Sequence, residues 1–409
     1  MSKGLDSSRR RILQAGLGGA AATGLGFLGR AAMAQGATFE QPFANGKRQL
    51  VAFPEKRPLI VLTTRPPQLE TPFEVFNDGL ITPNDAFFVR YHNAAIPTSI
   101  DPDKHVIRIG GNAAGKTVDI SMADLKTQFK PVEITAVNQC SGNSRGLFNP
   151  RVTGGQSGNG AMGNARWVGV PLKDLLAKAE PHNTARQVTF NGLDNGVFGG
   201  GDFVKALDVG QAMDPDVLVA YQMNGADLPM LNGYPVKLVV PGYYGTYWVK
   251  HLSEINVIDQ TFDEFWMKPA YRIPDNDCAC IAPGTPIGAT RPIGRFNVRS
   301  FITSLKNGDQ VHAGQATGVR GIAFDGGQGI REVAWSADGG QTWRECTLGP
   351  DLGRYSFREF TFGVNFPKGS YDLLVRATNR VGAGQPMEAL WNPSGYMRNV
   401  VESIHVVAV

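Results

Sequence analysis

Hydrophobic and polar side chains alternate in short stretches after about residue 296. These stretches are separated by turn sequences and cover residues 296–301, 315–319, 330–335, 355–360 and 371–377. Alternation with a period of two is typical of a strand with one buried face, and several short strands within about 110 residues indicate a sandwich of two sheets. We therefore predict an all-β, immunoglobulin-like domain over residues 296–409, a module that often serves adhesion or dimerisation.

The pattern between residues 38 and 280 is mixed. Strand-like apolar runs occur at 132–137 and 236–240, whereas the apolar residues from Leu172 to Ala179 recur at the spacing of an amphipathic helix. These features predict an α+β domain over residues 38–280. Residues 281–295 are rich in proline and glycine, so we expect an extended linker between the two domains.

The first 34 residues have the features of an export signal. A basic stretch at 9–11 precedes an apolar run at 15–29, and Ala32-Met33-Ala34 fits an A-x-A cleavage site. Residues 8–14 resemble a twin-arginine signal, which directs proteins that are exported already folded, so we expect a periplasmic protein. The apolar run is too short to span a bilayer comfortably, and no other stretch is long and apolar enough to do so.

The formal net charge of +4 comes from this N-terminal segment. The segment contains five of the 40 Lys and Arg residues and one of the 36 Asp and Glu residues, so the remaining chain has 35 of each. A neutral chain gives no support for nucleic-acid binding, and any anion site must come from a local cluster of cations.

Four cysteines are too few to hold a chain of 409 residues together by disulfides. Zinc sites rarely use the spacing of Cys278 and Cys280, which leaves a disulfide or two solvated thiols there, and the state of Cys346 stays open. No C-x-x-C-H sequence occurs, so we expect no covalently bound c-type haem in this chain.

Cys140 is the candidate reactive cysteine. It follows the strand-like run at 132–137, and it precedes a small, polar stretch that contains Gly142 and ends at Arg145. A thiol at a strand end, beside a glycine turn and a cation, is placed to be ionised and to act as a ligand or a nucleophile. A buried, inert cysteine fits the local sequence equally well, and the surroundings resemble neither papain-type nor caspase-type hydrolases.

Arg90 and His92 form a second candidate group. Alternation places Phe88, Arg90 and His92 on one face of a predicted strand, a mixture that a simple core face does not explain. Arginine offers a planar fork for an oxyanion, and a nearby histidine can donate, accept or titrate. These residues are therefore either an anion site or a structural pair.

Four segments together resemble the sulfite oxidase family of molybdopterin enzymes, in both order and spacing. They are FFVRYH at 87–92, QCSGN at 139–143, ARWVGVPL at 165–172 and LNGYPV at 231–236. The DGGQTW sequence at 338–343 is similar to the dimerisation domain of that family. The resemblance covers essentially the whole chain after the expected signal.

The resemblance implies roles for individual residues. Cys140 would provide the thiolate ligand of molybdenum, and a pterin dithiolene and two oxo groups would complete the ligand set. Arg90, His92 and Arg145 would converge on the substrate oxyanion, Tyr271 would be the tyrosine of the pocket, and Gln68 would also line it. With Arg90, His92 and Cys140, the residues expected to bind the pterin and its phosphate are Phe88, Val89, Tyr91, Asp194, Asn232, Lys237, Trp248, Val249 and Lys250.

Several positions depart from the vertebrate pattern of the family. A histidine is usual at Asn232 and an arginine at Lys237 and Tyr247, and the pocket tryptophan of vertebrates is missing between 141 and 166. The same changes occur in bacterial periplasmic sulfite dehydrogenases, which the run at 242–248 also resembles. We further expect no haem domain before the catalytic domain, so that electrons leave to a separate protein.

The resemblance therefore predicts a periplasmic sulfite dehydrogenase that oxidises sulfite to sulfate by oxygen-atom transfer. A c-type cytochrome would accept the electrons. The chain would form a homodimer through its C-terminal domain or a heterodimer with a haem subunit. Two alternatives stay open: another enzyme of the family, such as a nitrate reductase or a reductase of S- or N-oxides, and a metal-free binding protein with an immunoglobulin-like module.

Overall fold

An antiparallel sheet formed by the first described strands contains part of the candidate site. The computed structural model describes residues 33–40, 47–196 and 201–409, so residues 1–32 of the expected export signal lie outside the described residues. The strands of this sheet lie side by side in chain order: β1 (Met33–Glu40), β2 (Lys47–Val51), β3 (Leu59–Thr64), β4 (Pro67–Glu70) and β5 (Val89–Arg90). The last strand, β5, contains the candidate residue Arg90.

Two further sheets and three short helices follow along the described chain. In chain order they are built from β6 (Val106–Gly110), β7 (Val118–Ser121), α1 (Met122–Thr127), β8 (Val132–Gln139), β9 (Met162–Pro171), α2 (Leu172–Lys178), β10 (Gln187–Gly192), β11 (Lys205–Asp208), α3 (Val209–Ala212), β12 (Leu218–Met223), β13 (Ala226–Asp227), β14 (Lys237–Val239) and β15 (Leu252–Ile258). One sheet has the order β11-β10-β15-β6-β7, in which only β15 and β6 are parallel. The other has the order β13-β12-β9-β8, and β14 also pairs with β12.

The sequence explains where several of these elements lie. The apolar run at 132–137 lies in β8, and the run at 236–240 contains β14. The predicted amphipathic helix is α2, which buries Leu172, Leu175 and Leu176 on one face. The helices contain only six, seven and four residues, so this part of the chain is mostly β and less helical than the predicted α+β domain. Frequent glycine and proline residues favour turns over long helices here.

The expected linker at 281–295 includes a short strand. Strand β16 (Arg272–Pro274) pairs in antiparallel fashion with β17 (Thr290–Pro292). Residues 283–289 between them are exposed. The segment therefore folds back on the preceding residues before it continues into the C-terminal part.

Two sheets build the C-terminal part. Its strands are β18 (Arg299–Ile302), β19 (Asp309–Val311), β20 (Ala316–Phe324), β21 (Ile330–Ser336), β22 (Arg344–Glu345), β23 (Thr347–Leu348), β24 (Arg358–Asn365), β25 (Gly369–Asn379) and β26 (Glu402–Ala408). The sheets have the orders β18-β20-β24-β23 and β19-β26-β25-β21-β22, and apolar residues of both share one core. The two-sheet, all-β prediction is confirmed, whereas the immunoglobulin-like assignment stays a prediction.

A continuous hydrophobic core joins the C-terminal part to the rest of the chain. Phe301 and Phe324 from the C-terminal part belong to the same buried cluster as Phe76 and Trp167. The ring centroids of Phe73 and Phe301 are 5.5 Å apart in an edge-to-face contact. The described residues from Met33 onward form one compact unit, so C-terminal residues can contribute to a site that the earlier sheets build.

Candidate active site

A cleft of about 590 Å³ lies where several strands end. It is lined by Phe88, Arg90, Tyr91, His92, Asn138, Cys140, Ser141, Asp194, Phe203, Asn232, Lys237, Gly245, Thr246, Trp248, Val249, Lys250 and Tyr271. All the residues predicted to bind the cofactor line this cleft, except Val89.

A second, smaller cavity of about 330 Å³ shares Cys140 with this cleft. Val89, Arg145 and Gln68 line this cavity, together with Arg90 and Cys140, which line both. The predicted site residues thus fall into two adjoining spaces that share one thiol and one guanidinium. We call them the large cleft and the small cavity.

Cys140 is held between these two spaces by the end of β8. Its backbone N–H donates to the carbonyl of Ala161 at 2.9 Å, and its own carbonyl accepts from Asn143 at 3.0 Å. The turn continues through Ser144, whose φ of 67° is unusual for a residue with a side chain. The sequence of small residues allows this tight turn and brings Arg145 back beside the thiol.

The other cysteines differ from Cys140 in their surroundings. Cys278 and Cys280 form a disulfide, one of the two outcomes that the sequence left open. Cys346 is a free thiol buried in the C-terminal core, where burial raises its pKa to about 12. Cys140 is the other free cysteine, and among the four it alone lines the large cleft and the small cavity.

The protein offers molybdenum or any similar metal a single thiolate here. Among the described residues, no group of three or more His, Cys, Asp or Glu side chains is placed to hold a metal ion. A metal bound to Cys140 would therefore take its remaining ligands from a cofactor and from substrate or solvent. This donor set suits a metal that combines soft sulfur with hard oxygen ligands.

Three lysines lie in or beside the large cleft: Lys237 and Lys250 line it, and Lys56 is buried near them. Lys56 and Lys237 are fully buried, and burial lowers the pKa of each to about 7. Burial and the neighbouring Lys237 lower the pKa of Lys250 well below its usual value. None of the three pairs with a carboxylate within the described chain, and Lys237 and Lys250, which line the cleft, fit a bound phosphate.

Lys56 is anchored by carbonyl groups from distant segments. Its Nζ donates to Asn232 Oδ1 at 2.5 Å and to the carbonyl of Phe87 at 3.1 Å. Asn232 Nδ2 in turn donates to the carbonyl of Phe88 at 3.0 Å. The position of Lys56 beside the site was not predicted, because its partner Asn232 is 176 positions away and no local sequence pattern distinguishes this lysine.

Two polar side-chain atoms in the large cleft can hydrogen-bond a polar ligand. Asn138 Oδ1 and Thr246 Oγ1 are buried without a hydrogen-bond partner among the described residues. Buried polar groups are normally hydrogen-bonded, so these atoms fit a polar ligand. The buried faces of Phe88 and Trp248 add aromatic walls. A planar, polar ring with an anionic tail therefore fits the cleft, as a molybdopterin would.

His92 and Tyr271 form a neutral hydrogen-bonded pair at the cleft. His92 Nε2 and the Tyr271 hydroxyl are hydrogen-bonded to each other. Burial and the nearby Arg90 lower the pKa of His92 well below its usual value, while burial raises the pKa of Tyr271. Phe203, a residue that the sequence analysis missed, stacks on the His92 ring with 3.8 Å between the centroids.

The two predicted oxyanion-binding arginines approach the small cavity from different segments. Arg90 lies in β5 and hydrogen-bonds the carbonyl of Tyr91. Arg145 Nε donates to the carbonyl of Ser394 at 3.1 Å. Neither guanidinium pairs with a carboxylate in the described part of the chain, so both retain charge for an anion.

Two family models match this chain. The model described as "Oxidoreductase molybdopterin binding domain" matches residues 93–266. The model described as "Mo-co oxidoreductase dimerisation domain" matches residues 290–408. The large cleft is built mainly from the first of these segments, with additions such as Arg90 and His92 from before it.

Known proteins extend this similarity over most of the chain. The mitochondrial sulfite oxidase of Homo sapiens is 32% identical over 371 residues, which cover 86% of this chain and 66% of that protein. The enzyme of Rattus norvegicus is 31% identical over 374 residues, which cover 87% of this chain and 67% of that protein. The chain therefore spans about two thirds of the length of these relatives.

A solved structure shares the fold. The sulfane dehydrogenase SoxCD from Paracoccus pantotrophus superimposes with a TM-score of 0.71 at 24% identity, over 83% of this chain and 84% of that one. The family models and the mammalian relatives identify the cofactor as molybdenum–molybdopterin, which the cleft fits. This chain belongs to the sulfite oxidase family of molybdopterin oxidoreductases.

Proposed function

We propose that the protein oxidises sulfite to sulfate by oxygen-atom transfer, with Cys140 as the thiolate ligand of its molybdenum cofactor. One observation carries this proposal. Cys140 lies between a lysine-rich cleft that fits the cofactor and a small cavity lined by Arg90 and Arg145. The names of the mammalian relatives support sulfite as the substrate.

The residues of the large cleft would bind the cofactor. Lys237 and Lys250 would neutralise its phosphate, Lys56 would support the cleft through Asn232, and Asn138 and Thr246 would meet polar edges of the pterin. When bound, the cofactor supplies oxygen-atom transfer and takes up two electrons. Lys237 and Lys250 then each exchange an unfavourable buried charge for a charge-assisted hydrogen bond.

The small cavity would bind the substrate. Sulfite and sulfate are compact oxyanions, and two guanidiniums offer planar sets of N–H donors for their oxygens. Arg90 and Arg145 can orient the sulfur atom toward the side where Cys140 lies. The neutral His92 can hold the Tyr271 proton through its Nε2 atom and so keep the hydroxyl oriented at the cleft.

The electron acceptor, location and assembly are further parts of the proposal. A separate protein would accept the electrons, and we propose a c-type cytochrome for this role, which the assay with oxidised cytochrome c tests. The N-terminal sequence supports export to the periplasm, which fractionation of cells expressing the full chain tests. No helix of the described residues has the length and apolar character needed to cross a membrane. The match at 290–408 supports a homodimer.

Steady-state assays of the molybdenum-loaded protein test the reaction. We expect sulfite-dependent reduction of ferricyanide and of oxidised cytochrome c, with sulfate as the product. Nitrate with a reduced viologen dye is the matched assay for the alternative reductase. Reduction of nitrate without oxidation of sulfite by either acceptor would overturn the proposal.

A further inference from the structure

A loop of the C-terminal part, residues 392–397, contacts Arg145, which lines the small cavity. The carbonyl of Ser394 accepts a hydrogen bond from Arg145 Nε at 3.1 Å. The backbone N–H of Met397 donates to the carbonyl of Ser141 at 3.3 Å, one position after Cys140. The loop is therefore attached to the Cys140 turn at two points.

Tyr396 is the side chain of this loop that faces the site. Its ring centroid lies 5.0 Å from Arg145 Cζ, a cation–π distance, and its hydroxyl also interacts with the Arg145 side chain. The ring also stacks on Tyr271, with 5.5 Å between centroids and 10° between planes. Tyr396 thus packs between a predicted substrate-binding arginine and the pocket tyrosine.

The loop holds Tyr396 in a defined position. Asn392 Nδ2 donates to the carbonyl of Tyr396 at 2.7 Å, and the backbone N–H of Tyr396 donates to Asn392 Oδ1 at 3.1 Å. Gly395 has a φ of 60°, and a Cβ there would lie 2.4 Å from Val152 Cγ2. The close approach requires glycine and fixes the position of the following tyrosine.

We propose that Tyr396 is a positioning residue that orients Arg145 and thereby sets the affinity of the small cavity for sulfur oxyanions. This inference rests on the proposed function. Arginine presents its donors in one plane, so a ring against the guanidinium and a carbonyl at Nε determine where the remaining donors point. The C-terminal part would in this way take part in substrate binding.

The test compares Tyr396→Leu with Tyr396→Phe in the molybdenum-loaded protein. We expect the leucine variant to raise the KM for sulfite and the dissociation constant for sulfate about three- to thirtyfold, the range of a cation–π contact, with kcat within about twofold. The phenylalanine variant keeps the ring and should restore most of the affinity. Tyr371→Leu, in the C-terminal part with its hydroxyl on Pro367, is the matched control.

Calorimetric titration with sulfate measures the dissociation constant. Steady-state kinetics with ferricyanide measure KM and kcat, and both experiments are expressed per bound molybdenum. Tyr396→Gln is a second variant without the ring, and it should behave as the leucine variant does. Affinities equal to those of the wild-type protein in both ring-free variants would overturn the role of Tyr396. Failure of the wild-type protein to oxidise sulfite would contradict the proposed function instead, and sulfate binding would still decide the role of Tyr396.

Discussion

At the scale of single residues, the proposed function depends most on Cys140 as the metal ligand. Replacement by serine exchanges a soft thiolate for a hydroxyl that a metal binds poorly. We expect Cys140→Ser to lower the rate of sulfite oxidation by more than about a hundredfold, because even outer-shell partners of metal ligands contribute about 10–100-fold. Steady-state kinetics measure this change.

Cys346→Ser is the control for the loss of a thiol. Cys346 lies in the C-terminal core and lines neither the large cleft nor the small cavity. That variant should retain the rate of the wild-type protein. Normal turnover by Cys140→Ser would contradict the assignment of this cysteine as a metal ligand.

The buried lysines predict a pH dependence of the cofactor-free protein. The pKa of Lys237 is about 7 in the folded protein and has its usual higher value in the unfolded chain. The unfolded chain therefore binds more protons above pH 7, and the free energy of unfolding rises with pH. The rise approaches about 1.4 kcal/mol per pH unit for each such lysine. It begins near pH 7 and levels off above the unfolded pKa.

Urea denaturation at pH 7, 8 and 9 measures this slope. Lys237→Met should be more stable than the wild-type cofactor-free protein at pH 7 and should show a smaller slope. It should also bind less cofactor because one cation of the cleft is missing. Equal slopes for the two proteins would show that the folded protein does not lower the pKa of Lys237.

At the scale of elements, the local sequence was sufficient to predict a strand or helix wherever contacts between residues close in sequence determine the structure. The apolar runs at 132–137 and 172–179 predicted β8 and α2 because one strand or one helix face accounts for each pattern. Strand β17 was missed because its proline-rich sequence is typical of a linker, and only pairing with β16 stabilises it. The contact between Lys56 and Asn232 could not be predicted, since it depends on how separate segments meet.

A glycine in β9 shows how closely two strands of the site-bearing sheet approach. A Cβ at Gly169 would lie 2.3 Å from the carbonyl oxygen of Val219 in β12. We expect Gly169→Ala to lower the free energy of unfolding by about 1–3 kcal/mol, since the strands must separate to admit the methyl group. Thermal or urea denaturation measures the change.

Gly318→Ala in β20 is the matched control. No atom lies within 4 Å of a Cβ placed at Gly318, so that substitution meets no neighbour. We expect its effect to stay within about 0.5 kcal/mol, as for most surface substitutions. An equal loss of stability in both variants would show that the close approach of β9 and β12 is not the cause.

At the scale of the whole molecule, the C-terminal part is joined to the Cys140 turn by a buried arginine. Arg299 in β18 is fully buried, and its Nη2 donates to Ser144 Oγ at 3.0 Å and to Glu402 Oε1 at 3.1 Å. The sequence predicted the catalytic and C-terminal blocks separately. It could not predict this connection, because the sequence around a single arginine in a strand does not indicate which distant residues accept its hydrogen bonds.

Glu402→Gln removes the carboxylate that neutralises Arg299. The variant should lose about 3–5 kcal/mol of unfolding free energy, since an uncompensated charge would remain buried. Asp372→Asn, which breaks the exposed contact with His405, should change stability by less than about 1 kcal/mol. Similar effects of the two substitutions in urea denaturation would refute a structural role for the buried pair.

A single-turnover experiment tests directly whether this site oxidises sulfite. Sulfite is added without air or electron acceptor to protein of known molybdenum content, and the sulfate formed is counted by ion chromatography. We predict about one sulfate per bound molybdenum in the wild-type protein, because each centre transfers one oxygen atom before it must be reoxidised. Fully loaded protein that forms no sulfate would contradict the claim that this site oxidises sulfite.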